Sequence, residues 1–106
     1  MKERERKIIL KAIYNTLHPI VPDARIILFG SHARGDSGSD SDWDLLVVLN
    51  KPKIEPADLN KVMYPLYDLG WEIGQHFSVK VYSKKEWLRR SFTPFFKNVE
   101  NEGIVL

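Results

Sequence analysis

Apolar residues recur at helical spacing over residues 3 to 17, where Ile9, Ala12, Ile13 and Leu17 share one face and Pro19 and Pro22 close the pattern. This predicts an amphipathic first helix. The run Arg25 to Phe29 leads straight into Gly30-Ser31, as a buried strand ending in a turn does, and His32 to Arg34 read as a short helical turn. Residues 35 to 41, G-D-S-G-S-D-S, are a turn-rich loop. Trp43 to Leu49 predicts a second strand, and its near-continuous apolar run from Leu45 to Leu49 calls for cover on both faces. After Asn50-Lys51-Pro52 a long helix is predicted from Pro56 or Ala57 to about Ile73, burying Leu59, Val62, Met63, Leu66, Leu69 or Gly70, and Ile73. Pro65 lies within it and predicts a kink or a break into two pieces. His76 to Tyr82 alternates, with Phe77, Val79 and Val81 against Ser78, Lys80 and Tyr82, which predicts a half-buried third strand. Lys84 to Arg90 and Pro94 to Asn101 read as terminal helices, with Gly103 as the stop. This order predicts an α/β domain in which a small mixed β-sheet carries helices on its outer side.

Composition narrows the class. A chain of 106 residues, 43% hydrophobic and 28% charged, predicts one small globular domain spanning residues 1–106. With no cysteine there is no disulfide, thiolate metal site or cysteine nucleophile, which fits a reducing cytoplasm. The opening M-K-E-R-E-R-K lacks the apolar segment of a signal peptide, and no apolar run approaches membrane-spanning length, so a cytoplasmic protein without a membrane partner is expected. The net charge of +2 does not by itself favour nucleic acid. Its distribution is uneven: residues 2 to 11 carry five Lys or Arg against two Glu, and residues 36 to 44 carry four Asp and no basic group. The basic block reads most economically as the solvated face of a helix. The acidic block is where a cation belongs.

The candidate chemistry lies between Gly30 and Val48, G-S-H-A-R-G-D-S-G-S-D-S-D-W-D-L-L-V-V. Gly30 lets backbone approach a ligand with no Cβ in the way, and Ser31 offers an N–H and a hydroxyl at the start of the following turn, a favourable place for an anion. Alternation along a strand puts Asp42 and Asp44 on one face and Trp43 on the other. Two adjacent carboxylates repel, and a divalent cation removes that cost. Mg²⁺ suits them, since it binds one or two carboxylates and completes its shell with water and phosphate oxygens. A Gly-Ser or an Asp-x-Asp alone is usually only a turn or a solvated strand end. A chance match to G-S-x3-G-x5-S-D-x-D in so short a chain is on the order of 10⁻⁵ at average residue usage.

That stretch resembles the minimal nucleotidyltransferases of the DNA polymerase beta superfamily, whose pattern is G-S-x-A-R-G followed by S-D-x-D-L; here it is Gly30, Ser31, Ala33, Arg34 and Gly35, then Ser41, Asp42, Asp44 and Leu45. Tyr67 to Glu72, Tyr82 to Trp87 and Thr93 to Gly103 are similar to segments of small bacterial members, so the resemblance covers nearly the whole chain. His32 departs from it, standing where many relatives carry Arg. The resemblance implies the nucleotidyltransferase fold and transfer of a nucleotide monophosphate, AMP in the first instance, from a nucleoside triphosphate such as ATP to a hydroxyl. It implies that Ser31 with the Gly30 turn holds the outer phosphates and that Asp42 and Asp44 are catalytic and bind Mg²⁺. Arg34 is a phosphate or partner contact, or else a surface Arg pairing with a nearby Asp.

In the family a third acidic residue sits on the neighbouring strand. Here that strand reads Phe77-Ser78-Val79-Lys80-Val81-Tyr82 and holds no carboxylate. Lys80 stands as a phosphate ligand, as a cation replacing one metal ion, or as an exposed strand lysine. Glu72 and Glu86 are the acids that flanking helices bring into consideration. His18 and His76 read as surface or turn residues. Trp71, Trp87, Phe92, Phe95 and Phe96 read as core and helix-docking residues, with any exposed part of the Ser91 to Phe96 cluster marking a partner surface.

Three functions compete. The first is an enzyme whose acceptor is presented by a separate helical partner, which the resemblance implies to be of the HEPN type, with this chain the antitoxin half of a toxin–antitoxin pair. The second is a weak or inactive nucleotide-binding and partner-docking module that lacks the third carboxylate. The third, less favoured, is a nucleic-acid adaptor using the basic first helix, marked by salt-sensitive RNA binding.

Overall fold

The structure, a computed structural model, describes residues 2–38 and 40–106. Helix α1 spans Glu3–Leu17, strand β1 Arg25–Phe29, the single turn α2 Ser31–Arg34, and strand β2 Trp43–Leu49. Helix α3 follows at Pro56–Ile73, strand β3 at Phe77–Ser83, helices α4 and α5 at Lys84–Arg89 and Pro94–Glu102, and strand β4 at Ile104–Val105. The sheet order is β3-β2-β1-β4, with β2 and β3 parallel and the other pairs antiparallel. The mixed sheet predicted from the pattern is therefore present, with helices on both faces.

Alternation divides the core. On one face Ile26, Leu28, Leu45 and Val47 pack with Ile9, Ile13 and Leu17 of α1 and Val62 and Leu66 of α3. On the other, Ile27, Leu46 and Val48 pack with Trp87 of α4 and Val99 of α5. β2 is the shared wall, which explains its unbroken apolar run. Ser83 and Thr93 cap α4 and α5, accepting from the N–H groups of Glu86 at 3.1 Å and Phe96 at 3.2 Å.

Three expectations change. α3 runs through Pro65 as one assigned helix. An interior proline costs about 3 kcal/mol, whereas burial of Val62 and Leu66, both 0% exposed, contributes about 1.5–3 kcal/mol each; tertiary packing therefore outweighs the local penalty. Ile73, expected inside, is 37% exposed at the last residue of α3. Gly103 ends α5 in an extended conformation, φ −65°, and the chain continues into β4, whose Ile104 pairs with Leu28 and Val105 with Ile27. A Cβ on Gly103 would overlap the Val99 carbonyl of α5 and come 2.6 Å from Ile27 Cγ2, so the glycine serves a tight exit from α5 against β1 rather than a left-handed stop. A two-residue strand is too short to leave a periodic signal.

Candidate active site

β1 ends with Phe29 paired to Asp44 of β2. Gly30 then reverses the chain at φ 74° and ψ −157°, a region open to glycine almost alone. A Cβ on Gly30 would overlap the Asp44 carboxylate and lie 3.1 Å from its Cγ. The backbone of the turn thus rests directly on Asp44, and α2 starts from it, with Ala33 and Arg34 N–H donating to the Gly30 carbonyl at 3.1 and 3.0 Å. Gly30→Ala combines a backbone strain of about 1–3 kcal/mol with displacement of that carboxylate. We expect a melting temperature lower by at least about 4 °C and weakened metal and nucleotide binding; thermal melts and a Mg²⁺-nucleotide titration check both.

Asp44 and Leu46 share the α4–α5 face of the sheet and Asp42 directly precedes β2, but helical cover ends before the carboxylates: Asp44 is half-buried and Asp42 exposed. Burial first, and the neighbouring Asp42 second, raise the Asp44 carboxyl above the ordinary carboxylate range, against the lowering influence of His32, Arg34 and Lys80. A partly desolvated carboxylate beside a second one is an arrangement that a hard divalent ion relieves.

On the opposite face Trp43 is fully buried. Its ring stacks on His32, with centroids 3.7 Å apart and an interplanar angle of 6°. Its indole N–H donates to Gln75 Oε1 at 2.8 Å and its backbone N–H to the His76 carbonyl at 2.9 Å. His32, also buried, donates from Nε2 to the Ser41 carbonyl at 3.0 Å. Its own carbonyl accepts Arg6 Nε at 3.2 Å and Nη2 at 3.1 Å. His32 is therefore a strut joining α2 to the start of β2. Arg6 is likewise a strut, which corrects in part the reading of the basic first helix as a solvated face. The sequence carried no separate signal for either role.

The other candidates fall as follows. Ser31 is half-buried at the first position of α2. Arg34 pairs with Asp36 at 3.1 Å and Glu102 at 3.3 Å, exposed contacts that contribute little to stability yet leave it within electrostatic reach of Asp44. In the β2–β3 register Ser78 stands beside Asp44 and Lys80 beside Leu46. Lys80 thus lies one same-face position further along, exposed and close enough to Asp44 to lower its pKa. Glu86 accepts the Ser83 hydroxyl at 3.1 Å, at the far end of β3, where Ser83 pairs with Leu49. Neither Glu72 nor Glu86 is among the groups that shift Asp44. Among the described residues no three His, Cys, Asp or Glu side chains converge as a metal cluster.

The aromatic residues divide. Trp87 is core, with the Phe95 and Phe96 rings at 5.7 and 4.7 Å. Trp71 and Phe92, read as core or helix-docking residues, are 93% and 78% exposed and so are not core. Trp71 and Tyr67 line a groove of about 450 Å³ with Gly70, Gln75 and Phe77. His18 and His76 are exposed, as expected. No helix of the described residues is long and apolar enough to cross a membrane.

Two solved structures share this fold. One is a crystal structure of a toxin–antitoxin with AMP-PNP, at TM-score 0.56 and 20% identity over 94% of this chain and 70% of that one. The other is a mutant of the toxin–antitoxin MntA-HpeT, at TM-score 0.54 and 17% identity over the same shares of the two chains. No curated protein matches significantly. The family model described as "Nucleotidyltransferase domain" matches residues 8–105. Those residues contain the whole Gly30 turn, the Asp42 and Asp44 pair and the sheet that joins them, and the chain belongs to the nucleotidyltransferase domain family.

Proposed function

We propose that this chain moves a nucleotide monophosphate from a Mg²⁺-bound nucleoside triphosphate, ATP in the first instance, to a hydroxyl on a helical protein partner of the HEPN type, in the cytoplasm. The observation that carries this reading is the contact of the Gly30–Ser31 turn with the carboxylate of Asp44, beside Asp42. The turn and the carboxylates fit the outer phosphates and the α-phosphate of one triphosphate.

Asp42 and Asp44 would hold the Mg²⁺, which when bound neutralises charge on the phosphates. Ser31 binds the outer phosphates through its hydroxyl and N–H, and Arg34, exchanging its exposed carboxylate partners for phosphate, steadies them. The acceptor hydroxyl oxygen forms a bond to the α-phosphorus as the bond from that phosphorus to the pyrophosphate oxygen breaks. The proton leaves to water and pyrophosphate departs. The two structural neighbours, each a toxin–antitoxin and one crystallised with AMP-PNP, support a nucleotide and a protein partner. Exposed Trp71, Tyr67 and Phe92 supply aromatic anchors of the kind interface cores favour.

The serine beside Asp44 favours a second reading, a nucleotide-binding docking module with weak or no catalysis. The charge at Lys80 bears on the choice. A third carboxylate with its own divalent ion carries a net +1, and so does a lysine ammonium, so Lys80 preserves the charge of the site with one ion fewer. Calorimetric titration with a non-hydrolysable ATP analogue present is expected to give one Mg²⁺ per chain beyond the nucleotide-free background, and Lys80→Asp a second. An unchanged count in Lys80→Asp removes the replacement role. Amide shifts at residues 30–34 and 41–45 on adding Mg²⁺ and ATP test the site itself.

A further inference from the structure

The order β3-β2-β1 puts the Gly30–Ser31 turn on one side of the two carboxylates and β3 on the other. Attack at phosphorus runs in line with the leaving group. With the outer phosphates at the turn, as proposed above, the acceptor comes in over β3. What β3 offers there is positive. Ser78, Lys80 and Tyr82 share the face of Asp44 and Leu46, successive same-face residues standing about 7 Å apart. The guanidinium of Arg90, at the end of α4, lies 4.6 Å above the Tyr82 ring and donates to the Glu86 carbonyl at 3.2 Å. That leaves most of its N–H groups for other acceptors. Among the described residues no carboxylate is within ion-pair distance of Lys80 or Arg90.

We infer that Lys80 and Arg90 form an acceptor-side anion site, which takes a protein segment whose reactive hydroxyl is flanked by carboxylates. Lys80 lies next to the reacting position and Arg90 one same-face step beyond, so the site matches two acidic groups spaced along an extended segment. The surface beside Arg90 favours protein over nucleic acid: Phe92, 78% exposed, lies in the tight turn that follows Arg90, closed by the Thr93 N–H donating to the Arg90 carbonyl at 2.9 Å. An acidic segment with apolar anchors uses both features. A phosphate backbone uses only the charge.

The inference rests on the transferase reading for its direction of approach, and one set of samples separates the two. The full chain, with Mg²⁺ and a non-hydrolysable ATP analogue, is titrated with a labelled peptide carrying one tyrosine between glutamates. The same peptide with lysines in their place and a short RNA ending in a free 3′ hydroxyl serve as comparisons. The acidic peptide is expected to bind, shift resonances of Lys80, Tyr82 and Arg90, and lose about tenfold in affinity with Lys80→Ala and with Arg90→Gln, the usual scale for one charge-assisted hydrogen bond. The lysine peptide is expected not to bind. Equal binding of the two peptides, or shifts confined to other surfaces, overturns the inference, as does RNA binding more tightly than the acidic peptide. Loss of peptide binding with analogue shifts at residues 30–34 intact removes the acceptor site alone. Peptide binding without analogue binding keeps the anion site and removes the transferase reading.

Discussion

Asp44→Asn is expected to abolish Mg²⁺-dependent nucleotide binding and to lower nucleotidyl transfer by at least about 10²-fold, while leaving the apo protein no less stable at pH 7. The first half follows from geometry, because Asp44 is the carboxylate on which the Gly30 turn rests and Asp42 lies near enough to act on its charge. The second half follows from its ionisation. Burial, and then Asp42, raise its folded pKa above an unfolded value of about 3.9. Between those two values the folded chain binds the proton more tightly than the unfolded chain, so stability rises as pH falls through that window. Above it, ionised Asp44 carries a cost that asparagine lacks. Melting curves should therefore place Asp44→Asn at or above the parent at pH 7, with the difference shrinking as pH falls through the window. A large drop in melting temperature at pH 7 would make Asp44 a structural carboxylate instead.

Trp43→Ala is expected to be the most damaging substitution for the fold near the site. Removing a fully buried tryptophan costs about 3–5 kcal/mol, and each kcal/mol lowers the melting temperature by about 4–8 °C in a domain of about this size. The loss should exceed about 12 °C. It should also reach the site before any ligand is added, because the ring stacks on His32 and His32 ties α2 to Ser41. Where Trp43→Ala fails to fold, Trp43→Phe keeps a ring against His32 but loses the hydrogen bond to Gln75, at about 1 kcal/mol. Chemical shifts at residues 31–34 that stay fixed in Trp43→Phe while those near Gln75 move would confirm that the stack, rather than the indole N–H, holds the turn.

The sheet and helices were legible where a repeated pattern ran long enough. The continuous apolar run of β2 announced cover on both faces, and the alternation in β3 put Lys80 on the same face as Ser78 before any register was known. Asp44 was placed by alternation along β2, whereas Asp42 falls just before the strand and is tied to Asp44 by its charge. What escaped the sequence depends on distant partners. Pro65 is tolerated because the sheet packs Val62 and Leu66, and β4 exists because β1 has an open edge beside the end of α5. His32 and Arg6 look like surface groups in the chain; the return of β2 gives the His32 ring Trp43 and the Ser41 carbonyl, and the approach of α1 to α2 gives Arg6 the His32 carbonyl. Trp71 reads from the chain as either a core or a docking residue, and only its exposed place near the C-terminal end of α3 separates the two.

The central claim, nucleotidyl transfer at Asp42 and Asp44, is tested most directly by incubating the chain with Mg²⁺, the HEPN-type partner proposed above, and ATP labelled at either the α or the γ phosphate. The account predicts that the partner acquires label from α-labelled ATP on a hydroxyl, with release of pyrophosphate, and none from γ-labelled ATP, and that Asp44→Asn removes the label while the complex still forms. Transfer from the γ phosphate, or a complex that forms with no label from either, would contradict it.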